Sequence, residues 1–272
     1  MKKTIALLVL LSTVLFAYVD SDMDGVEDKR DKCPNTPLTD LVNADGCTKK
    51  SLASDSHYDI IVGVGYGQTD YTLTPNTDTY STMFQADYFY RDFSLAASTS
   101  FYNTTSSGYS DSGMNDSVIE ATYMLHPSQE VGVRVGGAVI LPTYNSSLNN
   151  NNTDYRVSIN ISRYIDKTTL FAGYAYTLIN DNDVVNSTDR VYYQNTNAYT
   201  LGGGYQFTSK LYASLSYFQA NSIYKGVQDL KSMSLYAFYS IDTHWFANFS
   251  FSKGLSDSTS NTFGYISLGY YF

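Results

Sequence analysis

Five aspartates near the N-terminus carry the spacing best suited to chemistry. They stand in the run Asp20, Asp22, Asp24, Gly25, Val26, Asp28, Asp31. Oxygen-bearing side chains at alternate positions, with a glycine at the sixth to permit a sharp turn, can converge on one hard cation. Counted from Asp20, the carboxylates fall at positions 1, 3, 5, 9 and 12, and the Val26 carbonyl at 7. Two cysteines follow, Cys33 and Cys47, and there are no others. Catalytic alternatives are sparse. The three histidines, His57, His126 and His244, stand far apart in the chain, and no serine lies in a Gly-x-Ser-x-Gly elbow. No catalytic constellation is therefore expected, and the protein is not expected to be an enzyme. A net charge of −9 without any cluster of Lys or Arg also excludes nucleic acid as a partner.

The aspartate run resembles an EF-hand calcium loop, but Asp31 stands where the longer, bidentate glutamate of an EF-hand would be. It is more similar to a thrombospondin type 3 repeat. The Asp-x-Asp-x-Asp-Gly core, then Asp28, Asp31, Cys33-Pro34 and the distal Gly46-Cys47 carry that resemblance over residues 20–47. The resemblance implies Ca2+ held by Asp20, Asp22, Asp24, Val26, Asp28 and Asp31, and a Cys33–Cys47 disulfide. The expected export route also favours pairing two lone cysteines. Closing a loop of that length contributes roughly 3 kcal/mol. The alternative is a solvated acidic linker that binds calcium too weakly to matter.

The repeat must be placed by what surrounds it. Residues 1–17 read as a bacterial signal peptide: Lys2 and Lys3, an apolar run from Ile5 to Phe16, then Ala17. Residues 18–47 hold the repeat, 48–56 form a polar linker, and 57–272 form the main domain. Only 16% of the 272 residues are charged, while Tyr numbers 27 and Phe 14. A soluble domain carries about a quarter charged residues. No segment reaches the roughly 18 consecutive apolar residues that a transmembrane helix needs, so a membrane would have to be crossed by a closed sheet.

From His57 onward apolar residues alternate with small polar ones. Tyr58, Ile60, Val62, Val64 and Tyr66 share one face, and Asp59, Gly63, Gly65 and Gly67 the other. Twelve such sets recur, ending with Ile266, Leu268, Tyr270 and Phe272. The expected fold class is all-β: a transmembrane antiparallel up-and-down β-barrel of about 12 strands, preceded by the short irregular calcium-binding repeat. Charge placement tests this pattern, because Arg or Lys on the lipid face at mid-bilayer costs about 2–4 kcal/mol. Asp59, Asp87, Glu120, Arg134 and Arg156 all fall on the inward parity as candidate lumen charges, while Arg163, Lys231 and Lys253 share the outward parity only near strand ends. A soluble β-sandwich alternates in the same way, but its second face is usually charged; here that face is Ser, Thr, Gly and Asn.

Connections alternate too. Short turns are expected at Arg91-Asp92, Pro127-Ser128-Gln129, Asp166-Lys167, Thr208-Ser209-Lys210 and Asp242-Thr243, with long polar loops between them. Long loops face outward in outer-membrane barrels, so an even strand count places both termini, and the repeat, in the periplasm. The last strand resembles the C-terminal signature of outer-membrane barrels, which implies recognition by the barrel-assembly machinery through the strand ending in Phe272. A turn at residues 127–129 would pair position 122 with about 134, bringing Glu120 diagonally near Arg134. That pair would serve either as a charged constriction or as a salt bridge that stiffens the wall. The functional expectation is a porin-like passive channel for small polar solutes, embedded in outer-membrane lipid. The alternative is a non-conducting structural or adhesive protein displaying polar loops; an outer-membrane hydrolase ranks lower. Strand number alone leaves the lumen open or closed.

Overall fold

Alternating side chains force neighbouring strands to share one wet and one dry face, and a sheet with a dry outer face is sealed only by closing on itself. A computed structural model shows this outcome. It describes residues 20–22, 24–36, 42–48, 56–71, 74–144, 151–185 and 190–272. The expected signal peptide and residues 49–55 of the expected linker lie outside the described residues.

The strands are β1 (His57–Tyr71), β2 (Thr74–Tyr90), β3 (Phe93–Ser106), β4 (Tyr109–Met114), β5 (Ser117–Ser128), β6 (Val131–Leu141), β7 (Asp154–Ile165), β8 (Thr168–Leu178), β9 (Val184–Val185), β10 (Arg190–Val191), β11 (Thr196–Gln206), β12 (Leu211–Ala220), β13 (Leu230–Ser240), β14 (Trp245–Gly254) and β15 (Thr262–Tyr271). Each long strand pairs antiparallel with its successor, and β1 pairs with both β2 and β15, closing the ring. Twelve strands form the wall. β4 pairs only with the far half of β3, above the point where β5 takes over, and β9 and β10 form a two-residue pair within one loop.

The parity is as expected. Ile60 is 47% exposed and the next residue, Ile61, 8%. Exposed apolar side chains such as Val64, Leu201 and Ile266 continue around the outside, an apolar surface suited to lipid. Arg163 is exposed at its strand end and pairs with Glu130 at 3.8 Å. The ends also alternate as expected: two-residue turns at Arg91-Asp92 and Asp166-Lys167, where Arg91 and Asp166 take φ of 53° and 52°, face longer connections at the opposite end.

One turn differs. β5 runs through Pro127 to Ser128, the turn is Gln129-Glu130, and the ladder slips between Leu125 and Ser128. Pro127 has no N–H for the ladder, so the strand bulges there. Thr122 consequently faces Gly136, not Arg134, and Arg134 faces Met124. The expected register is corrected: Glu120 faces Ala138, which faces Arg156, and its Oε1 lies over Gly136, with both Arg156 and Arg134 close enough to act on it.

Nor are the long connections only exposed polar tips. Tyr193 and Tyr224 are buried, their rings 5.3 Å apart, against Ile179, Val191, Ile223 and Val227. Tyr102 and Tyr144 meet nearby, their rings tilted at 52° with centroids 5.9 Å apart.

Candidate cation site in the mouth of the barrel

The aspartate run folds as a succession of turns, each closed by a side-chain oxygen capturing a nearby amide. Gly25, at φ 86°, donates its N–H to Asp20 Oδ2 at 2.9 Å. Val26 is buried in the same turn and donates to Asp24 Oδ1 at 2.8 Å. Asp28 accepts from both the amide and the hydroxyl of Ser21. Thr36 N–H reaches back to Asp22 Oδ2 at 2.9 Å. The turns gather the carboxylates into two triads that share Asp22: Asp20, Asp22 and Asp28, and Asp22, Asp24 and Asp31, with ligand oxygens within 4.8 Å of one another. All five expected aspartates are thus brought together.

The second half of the repeat locks this shape. Cys33 and Cys47 are disulfide-bonded with Cα atoms 5.0 Å apart, as the resemblance implied. Cys33 N–H holds Asp31 Oδ1 at 2.7 Å, and Gly46 lies directly behind that carboxylate. A Cβ on Gly46 would sit 2.0 Å from Asp31 Oδ1, and its φ of 73° also suits glycine alone. Thr36 Oγ1 donates to the Gly46 carbonyl at 2.7 Å, joining the two halves.

These carboxylates are buried: Asp20 is 0% exposed and Asp24 7%. Burial first, then repulsion from Asp22 and Asp31, pushes Asp24 up to about 9. Burial and Asp22 raise Asp31 to about 8, and burial with Asp24, Asp22 and Asp28 holds Asp20 well above the usual carboxylate range. Asp24 Oδ2 has no hydrogen-bond partner among the described residues. Crowded, dehydrated carboxylates with lone pairs left over are stable only when protonated or when a cation neutralises them. The donor set, all oxygen and strongly anionic, fits a hard divalent cation.

The repeat sits in the lumen at the short-turn end, against the barrel wall. On one wall Arg134 of β6 donates to the Asp20 carbonyl at 2.9 Å, and Tyr164 of β7 bonds Ser21 Oγ at 2.6 Å. Ser21 Oγ in turn bonds the Asp28 carboxylate. On another wall Lys29 Nζ donates to the Gly204 carbonyl at 3.2 Å and lies 4.7 Å above the Tyr212 ring. Arg30 Nε donates to the Ser209 carbonyl at 2.6 Å, with its guanidinium 5.3 Å over Phe238. Tyr212, Phe238 and Phe246 form a buried inward cluster with Ile61. The inward face is therefore not only Ser, Thr, Gly and Asn. Gly204 makes room for it, since a Cβ there would lie 1.9 Å from the Tyr212 hydroxyl.

Beyond the repeat the lumen holds a cavity of about 200 Å³ lined by Asp59, Asp87, Glu120 and Arg134, among others. Asp59 and Asp87 face each other across the β1–β2 ladder, and Gln85 donates to Asp87 at 2.8 and 3.0 Å. Arg156 is buried on β7. All five candidate lumen charges point inward, acids on β1, β2 and β5, arginines on β6 and β7.

The histidines stay at the short-turn end. His57 stacks on Phe89 at 4.7 Å, His126 contacts Asp92 at 3.1 Å, and His244 stacks on Tyr270 at 5.7 Å. Among the described residues none of them bonds a serine or cysteine, and no catalytic grouping forms around them. Sequence reasoning missed Lys29, Arg30 and Tyr164 as part of the site. A signal existed: Tyr164, Tyr212, Tyr236 and Phe238 are large aromatics on the inward parity.

Neither a protein-family model nor a curated protein matches the sequence. Solved structures do match in fold. The chain is similar to the NanC porin at 12% identity and TM-score 0.58, covering 78% of this chain and 98% of that one. The KdgM porin is similar at 12% identity and TM-score 0.52, with the same coverage. The translocator domain of the autotransporter NalP from Neisseria meningitidis gives 10% identity and TM-score 0.51, covering 81% of this chain and 90% of that domain. The fold is that of outer-membrane barrels.

Proposed function

We propose that this protein is a porin-like outer-membrane channel for small polar solutes, with its periplasmic mouth occupied by an N-terminal calcium-binding repeat. The observation that carries the reading is a closed barrel with an apolar outside and a charged lumen, into whose short-turn mouth residues 20–36 are seated. Residues 1–17 act as the signal peptide, 18–47 as the type 3-like repeat, 48–56 as the linker and 57–272 as the barrel. The strand ending at Phe272 is the segment the barrel-assembly machinery reads. The porin likeness of two neighbours supports a channel over an enzyme.

Asp20, Asp22, Asp24, Asp28 and Asp31 are the residues that would hold calcium, with the Val26 carbonyl completing the set. Bound calcium would supply positive charge, accepting these oxygens as ligands and neutralising carboxylates that are otherwise crowded and dry. Asp31, held by Cys33 and backed by Gly46, ties that set to the disulfide.

In the lumen, Asp59, Asp87 and Glu120 on β1, β2 and β5, with Arg134 and Arg156 on the adjoining β6 and β7, set a field that sorts solutes by charge. Neutralising the acids in the triple variant Asp59→Asn, Asp87→Asn, Glu120→Gln should shift the reversal potential under a salt gradient toward anion selectivity.

One observation favours the rival reading of a non-conducting surface protein: a cavity of about 200 Å³ is below the roughly 300–1,000 Å³ typical of ligand pockets. Planar-bilayer recording separates the two. The channel reading expects steady conductance from a variant lacking residues 20–47, and silence at every voltage from that folded variant would overturn it.

A further inference from the structure

We propose that the cation site and the closed mouth are one assembly: Tyr164 and Arg134 of the barrel wall complete the site, so that a bound divalent cation holds the repeat in the lumen and its removal releases it. This regulation rests on the channel reading given above.

The wall touches the carboxylate cluster at two points. Tyr164 Oη bonds Ser21 Oγ at 2.6 Å and Ser162 Oγ at 2.8 Å, and Ser21 Oγ in turn bonds the Asp28 carboxylate. Asp28 is therefore oriented by Ser21, and Ser21 is held from the other side by the barrel. Arg134 Nη2 binds the carbonyl of Asp20, the first residue of the cluster, at 2.9 Å. Groups that orient ligands commonly matter 10–100-fold in metal affinity. Here they belong to the surface the repeat would leave on unseating.

The remainder of the seat does not touch the cluster. Lys29 and Arg30 hold Gly204, Tyr212, Ser209 and Phe238 across the lumen. These contacts guide the repeat into the mouth. Asp24, with Oδ2 buried and unbonded among the described residues, shows what seating requires without a cation: an acidic cluster taken out of water with its oxygens unsatisfied. The part of the cluster that the wall covers would regain water on unseating, so seating would be opposed by dehydration without a cation and favoured with one.

Linkage makes the effect reciprocal. If the wall raises cation affinity in the seated state, the cation raises the seated population by the same factor. The cavity of about 200 Å³ above the repeat then belongs to the closed state, and a wider passage to the unseated one.

The experiment uses the full mature chain, refolded in planar bilayers at constant ionic strength, with free Ca2+ either at millimolar level or removed by chelator. Wild type should conduct weakly in Ca2+, several-fold more after chelation, and weakly again when Ca2+ returns. A variant lacking residues 20–47 should conduct equally in both conditions. Tyr164→Phe should move the Ca2+ midpoint of closure upward by about 10-fold, and calorimetric titration of the refolded protein should show a matching loss of Ca2+ affinity. Ser21→Ala, which removes the Tyr164 contact together with the hydroxyl's own bond to Asp28, should shift the midpoint in the same direction and further, even if Tyr164→Phe folds poorly.

Wild-type conductance that ignores Ca2+, beside a deletion variant that conducts, would overturn the gate and leave the channel standing. Unchanged Ca2+ affinity in folded Tyr164→Phe and Ser21→Ala would overturn the role of the wall. A silent deletion variant would overturn the channel, and with it the gate.

Discussion

Asp24 and Gly46 place opposite demands on the repeat, and each gives a test. Asp24 offers an unbonded buried oxygen, so Asp24→Asn removes a ligand charge while keeping shape and should weaken Ca2+ binding by at least about 10-fold in calorimetric titration. Gly46→Ala adds only a methyl, but that methyl meets Asp31 Oδ1 at 2.0 Å at a φ of 73°. It should also weaken binding, through displacement of Asp31. Equal affinity in both variants would contradict the ligand set. Replacing Cys33 and Cys47 together by Ser should destabilise the repeat by about 3 kcal/mol, read as faster proteolysis between residues 20 and 47 in chelator. Ligand spacing and the two cysteines are local features, and they were readable from the chain. The partners Tyr164, Lys29 and Arg30 were not, because Ser21–Tyr164 joins residues 143 apart and Arg30–Ser209 residues 179 apart. Nothing in the spacing of either segment says that one docks on the other.

At the scale of strands the pattern was readable wherever one face meets lipid. Ile159 and Ser158 are neighbours on β7, one 40% exposed outward and the other lining the cavity. Ile159→Arg should cost about 2–4 kcal/mol of folding free energy in lipid, measured by denaturant titration. Ser158→Arg faces water in the lumen and should cost clearly less; equal costs would contradict the assigned parity. The register of β5 against β6 was misread because alternation is blind to a bulge. The proline at 127 hinted at one, but the slip that carries Glu120 to Ala138 shows only in the ladder. The inward aromatic wall of β12 to β14 escaped for a related reason. A Tyr or Phe at an inward position reads as an exception until the repeat is seen resting on it.

At the scale of the whole molecule, the repeat and barrel were expected as two units joined by a linker, with the repeat in the periplasm. The structure instead nests the one in the other, with contacts to β6, β7, β11 and β13. Placement inside the lumen depends on barrel closure, which no stretch of sequence contains by itself. The direct test of the proposed gate is the conductance of the mature chain as free Ca2+ is removed and restored, beside a variant lacking residues 20–47. A reversible several-fold rise on removal is expected, to the level of a deletion variant that does not respond. Wild-type conductance that is the same with and without Ca2+ would contradict it.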